Sequence, residues 1–140
     1  DELPTFNKLI TFELSNSNVT SLNGINKFEN LQNVELHYLN KLEEINNICS
    51  LTKLKTLRME NCKKVLINDD LACLTNLNEL ALINCGNIPS IKFIKNMNKL
   101  KKFIFPESIV LDGDISPCFG LEYVYFINKK HYSHKNNEFS

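Results

Sequence analysis

The chain has 140 residues, with sixteen basic side chains against sixteen acidic ones and 43% apolar residues, which suits one domain with a substantial core. Its formal net charge of zero removes the bulk electrostatic argument for nucleic acid or an anionic membrane surface as partner. No run approaches the roughly 18 apolar residues of a membrane-spanning helix, and residues 1–10 lack the basic-then-apolar layout of a secretory signal.

Residues 1–8 come first. Leu3, Phe6 and Leu9 repeat the spacing of Ile25, Phe28 and Leu31, so this segment reads as a partial coil or a cap. From Leu9 onward a Leu-x-x-Leu-x-Leu spacing recurs: Leu9/Phe12/Leu14, Leu31/Val34/Leu36, Leu54/Leu57/Met59, Leu77/Leu80/Leu82, Leu100/Phe103/Phe105 and Leu121/Val124/Phe126. Successive copies start 22, 23, 23, 23 and 21 residues apart. A period of this length, opening on a strand-like alternation, is the signature of a stacked solenoid whose coils bury their apolar residues only against one another.

Between the strands, apolar residues follow three-to-four spacing, as in Ile88, Ile91, Ile94 and Met97, which predicts short helical turns on the convex side. Asp69 and Asp70 ahead of Leu71 suit the start of one such turn. Pro89 and Pro117 fall in these return segments, and segment 106–121 reads as a less regular coil. Residues 128–140 are polar and basic and depart from the repeat; Tyr132 and Phe139 are candidate anchors for folding them over the last coil. The domain thus divides into 1–8, six strand-containing coils over 9–127, and the tail 128–140.

The five cysteines, Cys49, Cys62, Cys73, Cys85 and Cys118, are odd in number and lie within repeats. They read as free thiols serving as small apolar residues, which predicts a cytoplasmic setting. Cys62 and Cys85 share a register on adjacent coils, but the strict geometry of a disulfide argues against joining them.

No phosphate-binding loop, zinc-protease helix or paired cysteine motif is present. His131 and His134 stand three apart in the basic tail, too few donors for a metal that needs three or four. No catalytic residue, cofactor or metal site is therefore expected, and the chain reads as a non-enzyme.

The concave face carries more information. Strand side chains alternate, so the third, fifth and seventh positions of each copy point outward. Glu13, Glu35, Glu60 and Glu79 give the first four rows an acidic cast, relieved by Arg58, the sole arginine. Ala81, Ile83, Ile104, Tyr123, Tyr125 and Ile127 make the last three rows apolar and aromatic, as partner surfaces are. The candidate partner-binding residues are Glu13, Glu35, His37, Tyr38, Arg58, Glu60, Glu79, Ile83, Lys102, Ile104, Tyr123 and Tyr125. A tail folded back over Tyr123 and Tyr125 is the competing account of the apolar rows.

The full form of the repeat, Leu54-Lys-Thr-Leu57-Arg-Met59-Glu-Asn-Cys62 and Leu77-Asn-Glu-Leu80-Ala-Leu82-Ile-Asn-Cys85, resembles the leucine-rich-repeat family. The resemblance implies an α/β right-handed solenoid of about six coils of 21–23 residues, with a parallel sheet on the concave face. It also implies that the ninth position turns inward to satisfy backbone groups of neighbouring coils, although Ser17, Leu39, Ser108 and Lys129 replace the usual residue in four copies. A short chain ending in Phe105-Pro-Glu-Ser, Asp112-Gly-Asp and Asn128-Lys-Lys-His-Tyr-Ser-His-Lys is similar to stand-alone bacterial immunity proteins encoded beside secreted polymorphic toxins. That resemblance implies a partner in the form of a basic toxin domain, a nuclease among the options, neutralised by occlusion. Two alternatives remain open: an internalin-like surface adhesin fragment, and a recognition or scaffold arm of a larger protein.

Overall fold

The computed structural model describes residues 8–139; the N-terminal segment 1–7, with Leu3 and Phe6, and Ser140 lie outside the described residues. Six strands form one parallel sheet: β1 (Thr11–Ser15), β2 (Asn33–His37), β3 (Thr56–Glu60), β4 (Glu79–Ile83), β6 (Lys102–Ile104) and β8 (Tyr123–Tyr125), in that spatial order. Each strand pairs with its equivalent in the next coil, Leu57 opposite Leu80 and Phe103 opposite Val124. The expected solenoid, with one sheet strand per coil, is what forms.

On the return side the chain makes 3-10 turns: η1 (Ile25–Lys27), η2 (Asn46–Ser50), η3 (Asp69–Cys73), η4 (Lys92–Asn96) and η5 (Ser116–Cys118). Asp69 and Asp70 do open η3, but the cap is Asn68, whose Oδ1 accepts from the Asp70 N–H at 2.9 Å. A second, two-stranded ladder, β5 (Asn87–Ile88) with β7 (Ile109–Val110), forms beside Pro89. No helix of the described residues is long and apolar enough to cross a membrane.

The eighth position follows directly on the strand in the first four coils and turns the chain in the first five. Asn16, Tyr38, Asn61, Asn84 and Glu107 all have left-handed backbone, with φ between 50° and 64°. Asparagine tolerates this region better than other side chains, which accounts for its use at three of the five positions. The turn keeps the backbone ladder going: the N–H groups of Asn16, Tyr38, Asn61 and Asn84 donate to carbonyls of the next coil at 2.9–3.1 Å.

The ninth position then enters the core. Cys62 and Cys85 donate through their thiols to the carbonyls of Leu36 and Met59, and Ser108 donates through Oγ to that of Leu82 at 2.6 Å. Ser108 Oγ also accepts from the Cys85 N–H at 2.8 Å. Leu39 keeps the inward direction without a polar group and is fully buried. Around this ladder, the inward leucines Leu31, Leu54, Leu77 and Leu80 are at most 1% exposed. In the last coils aromatic rings replace them, with Phe103, Phe105 and Phe126 packed in series at 4.7 and 5.0 Å.

The segment after β8 closes that end. Tyr132 and Phe139 pack edge-on against Phe126, and Phe139 also meets Phe119 at 4.6 Å. Tyr132 Oη accepts from the Val110 N–H at 3.0 Å, and Ser133 Oγ from that of Ile115 at 2.9 Å. Gly113, at φ 70°, admits this approach because a Cβ there would collide with the His131 carbonyl. Along the exposed edge of β8, Asn136 Nδ2 donates to the Val124 carbonyl.

The cysteines require a correction. They are not all free: Cys49, in η2, and Cys73, ending η3, form a disulfide with Cα atoms 5.5 Å apart. They sit one register step apart on stacked turns, 24 residues apart where the coils repeat every 23, so stacking draws them together. Cys62, Cys85 and Cys118 remain free and buried. Burial raises the Cys62 thiol and pushes those of Cys85 and Cys118 up to about 12, which keeps them in the unreactive protonated form.

Three outcomes follow from this packing. Leu80→Ala, in the middle of the stack, should cost about 2–5 kcal/mol in urea unfolding through lost transfer energy and a cavity. Ser108→Ala leaves the Leu82 carbonyl and the Cys85 N–H unpaired in the core, and should cost about 1–3 kcal/mol in the same measurement. Iodoacetamide at about pH 8, near the ordinary thiol pKa, should leave Cys62, Cys85 and Cys118 unlabelled in the folded protein. Mass spectrometry should find all three labelled after denaturation, with Cys49 and Cys73 joining them only after reduction.

Candidate functional site on the concave face

Because every strand pairs in register with its equivalent, outward side chains form rows across the sheet. The fifth-position row runs Glu13, Glu35, Arg58, Ala81, Ile104 and Tyr125, and the third-position row runs Thr11, Asn33, Thr56, Glu79, Lys102 and Tyr123. Part of the third-position row is tied side by side: Asn33 Nδ2 donates to Thr11 Oγ1, and Thr56 Oγ1 donates to Asn33 Oδ1 at 2.6 Å. These hydrogen bonds hold the polar end of the face in a fixed arrangement.

Several of the candidate residues come together in one open cleft of about 530 Å³ along the sheet, lined by Glu35, Arg58, Glu79, Ala81, Lys102, Ile104 and Tyr123 among others. Glu13, His37 and Glu60 gather beside it in a second group. His37 Nδ1 stands 3.3 Å from Glu60 Oε2, and Nε2 stands 4.0 Å from Glu13 Oε1. Ile83 ends β4 half-buried, opposite Glu60. Tyr38 lies outside the strand row, on the left-handed turn that ends β2, with 47% of its surface exposed. A bulky residue in that backbone region is uncommon, and here it lifts an aromatic ring onto the rim of the face.

The acidic half is more nearly neutral than its carboxylates alone suggest. Lys102 Nζ is 3.3 Å from Glu79 Oε1, and Arg58 is the direct register partner of Glu35. Both pairings follow from the repeat, since residues 22 or 23 apart in sequence become neighbours across the sheet. The same rule brings one ligand atom from each of Glu13, Glu35 and His37 within 4.8 Å of one another, a grouping that inspection of any single coil does not reveal.

The apolar half is open. Tyr123, Tyr125 and Ile127 are 52%, 39% and 43% exposed, while Ala81 is nearly covered by its neighbours. The chain after β8 packs on the end of the stack and along the edge of β8, where Asn136 and Phe139 border Tyr123 and Tyr125. Its contacts leave both tyrosine rings available from the concave side. The arrangement is thus a polar, internally paired platform at one end and an exposed aromatic platform at the other. Among the described residues it offers no nucleophile activated by a neighbouring base.

Comparison with known proteins agrees with this geometry. No curated protein matches the chain. Among solved structures, an internalin (inlF) of Listeria monocytogenes superimposes with a TM-score of 0.58 at 20% identity, covering 90% of this chain. The chain spans 45% of the length of that internalin. A second, internalin C2 of the same organism, gives a TM-score of 0.38 at 18% identity, covering 86% of this chain and 82% of its own. The likeness to inlF supports the fold, a scaffold that ordinarily serves to bind proteins. A family model described as the leucine-rich-repeat domain of the endo-β-N-acetylglucosaminidase EndoS matches residues 1–92. With well over half of its length matched and the repeat geometry in place, the chain belongs to that leucine-rich-repeat family.

Proposed function

We propose that the chain is a non-enzymatic protein-binding module that takes its partner on the concave face of the six-stranded sheet. The observation that carries this reading is the exposed aromatic platform of Tyr123 and Tyr125 continuing from Ile104 on an otherwise polar face. Large apolar rings kept in solvent beside a fixed polar array suit a buried anchor surrounded by orienting contacts. Six strands at about 4.8 Å give a face roughly 25 Å long. With its rims, that is of the order needed for about 800 Å² per partner.

Two kinds of partner fit. The resemblance to immunity proteins suggests a basic toxin domain, met in the cytoplasm and blocked by occlusion, with Glu13, Glu35 and Glu60 opposing its cationic cleft. Glu79 contributes less to such a field, because Lys102 already pairs with it. A recognition or scaffold arm of a larger protein, or an internalin-like adhesin, gains support from a different observation, the Cys49–Cys73 disulfide. Disulfides form and persist in oxidising compartments. The match to a repeat domain that its description assigns to an endo-β-N-acetylglucosaminidase points the same way. The disulfide tilts the choice toward the second kind, a module working outside the reducing cytosol.

The concave-face reading is tested by binding kinetics on a partner isolated from the source organism. Tyr125→Ala and Ile104→Ala should each speed dissociation by about tenfold, the effect of losing about 1.4 kcal/mol of anchor packing. Glu35→Gln with Glu60→Gln should chiefly slow association and flatten its dependence on salt. Leu111→Ser, on the return side, should change neither rate. If the concave substitutions are silent and Leu111→Ser abolishes binding, the reading fails.

A further inference from the structure

His37 has a carboxylate against each of its ring nitrogens, Glu60 Oε2 at 3.3 Å from Nδ1 and Glu13 Oε1 at 4.0 Å from Nε2. A neutral imidazole carries one N–H and one lone pair. In either tautomer, therefore, one ring lone pair faces a carboxylate oxygen, and the nearest cation by register is Arg58, opposite Glu35 on the next strand. Glu35, two residues earlier on the same strand face, brings a further carboxylate to this side: single donor atoms of Glu13, Glu35 and His37 lie within 4.8 Å of one another. The side chain of His37 is only 17% exposed, so the ring itself is largely cut off from water, while Glu13 stands 59% exposed at its outer side. Two things satisfy the arrangement, a proton that makes the ring an imidazolium or a cation placed on the Nε2 side.

We propose that Glu13, Glu35 and His37 bind a divalent cation of the zinc type, with Glu60 as the positioning residue. Imidazole nitrogen together with carboxylate oxygen suits zinc and its neighbours, whereas magnesium and calcium take oxygen ligands. Glu60 Oε2, 3.3 Å from Nδ1, is placed to hold the ring proton on that side and leave the Nε2 lone pair toward Glu13, as outer carboxylates do for metal-bound histidines. Zinc holds its ligands at about 2.0–2.2 Å, so the donors must draw together by about an ångström. Glu13, with 59% of its side chain exposed, has the room to swing inward. Three protein ligands leave the fourth position to water or to a donor from another molecule. The site stands on this geometry alone and does not require the concave face to bind a protein.

The test is a titration of zinc into the metal-free, untagged chain, followed by calorimetry and by the NMR signals of the three histidine rings. The expected result is one saturable ion per chain with a selective shift of the His37 ring. Binding should weaken at least tenfold in Glu35→Gln and in His37→Asn. The exposed change Glu13→Gln gives the same readout with the least risk to folding. His131→Asn with His134→Asn should leave the binding intact. Zinc binding that survives His37→Asn but disappears in the tail variant would overturn the proposal. So would a His37 ring that titrates with protons and does not respond to zinc, since the positive charge would then be the imidazolium itself.

Discussion

Each coil completes its backbone hydrogen bonding only through the coil beside it. The strands give their N–H and C=O groups to equivalent positions 21 to 23 residues away, and the left-handed eighth residue extends that pairing beyond the strand. The ninth residue continues it into the interior, where Cys62, Cys85 and Ser108 each reach a carbonyl of the preceding coil. A buried carbonyl without a partner is costly, so these small side chains fix how closely the turns can stack. Cysteine and serine substitute for each other here because both are small and both donate one hydrogen.

The same fixed offset arranges the surface. A residue chosen for one coil is presented beside its equivalents, so the concave face behaves as a grid whose rows are set by register. Chemistry on this face is consequently a property of columns in the repeat rather than of contiguous sequence. Glu79 meets Lys102, Glu35 meets Arg58, and His37 lies between Glu13 and Glu60. The tyrosines of β8 extend the grid to the end of the sheet, where the following chain packs on the core edge through Tyr132 and Phe139.

The strands were legible in the sequence because inward leucines are the only way a coil of this length can be buried, and their spacing therefore could not drift. The return turns were legible as to place, although the capping role fell to Asn68 rather than to the carboxylates after it. The outward direction of the candidate residues followed from strand alternation. The Glu79–Lys102 ion pair and the Glu35–Arg58 juxtaposition were less visible, because they depend on comparing one column across two coils, and the acid count of a column gives no hint of the bases beside it. The disulfide was hidden for a related reason. Cys62 and Cys85 share a register and look paired, yet their thiols point at carbonyls, while Cys49 and Cys73 join across slightly different positions of two irregular turns. Return segments lack the strict period of the strands, so register alone does not locate their neighbours.

Repeat arrays change length when whole coils are gained or lost by unequal exchange, and most of this array offers no obstacle to that. The Cys49–Cys73 bond is different. Its ends are 24 residues apart, so excising one coil between them would leave two cysteines almost adjacent in sequence and unable to span neighbouring turns. Inserting a coil there would move them two layers apart. The second and third coils are thus stapled into a unit that must be inherited or transplanted whole, and any shuffling of this scaffold, natural or engineered, is confined to its flanks.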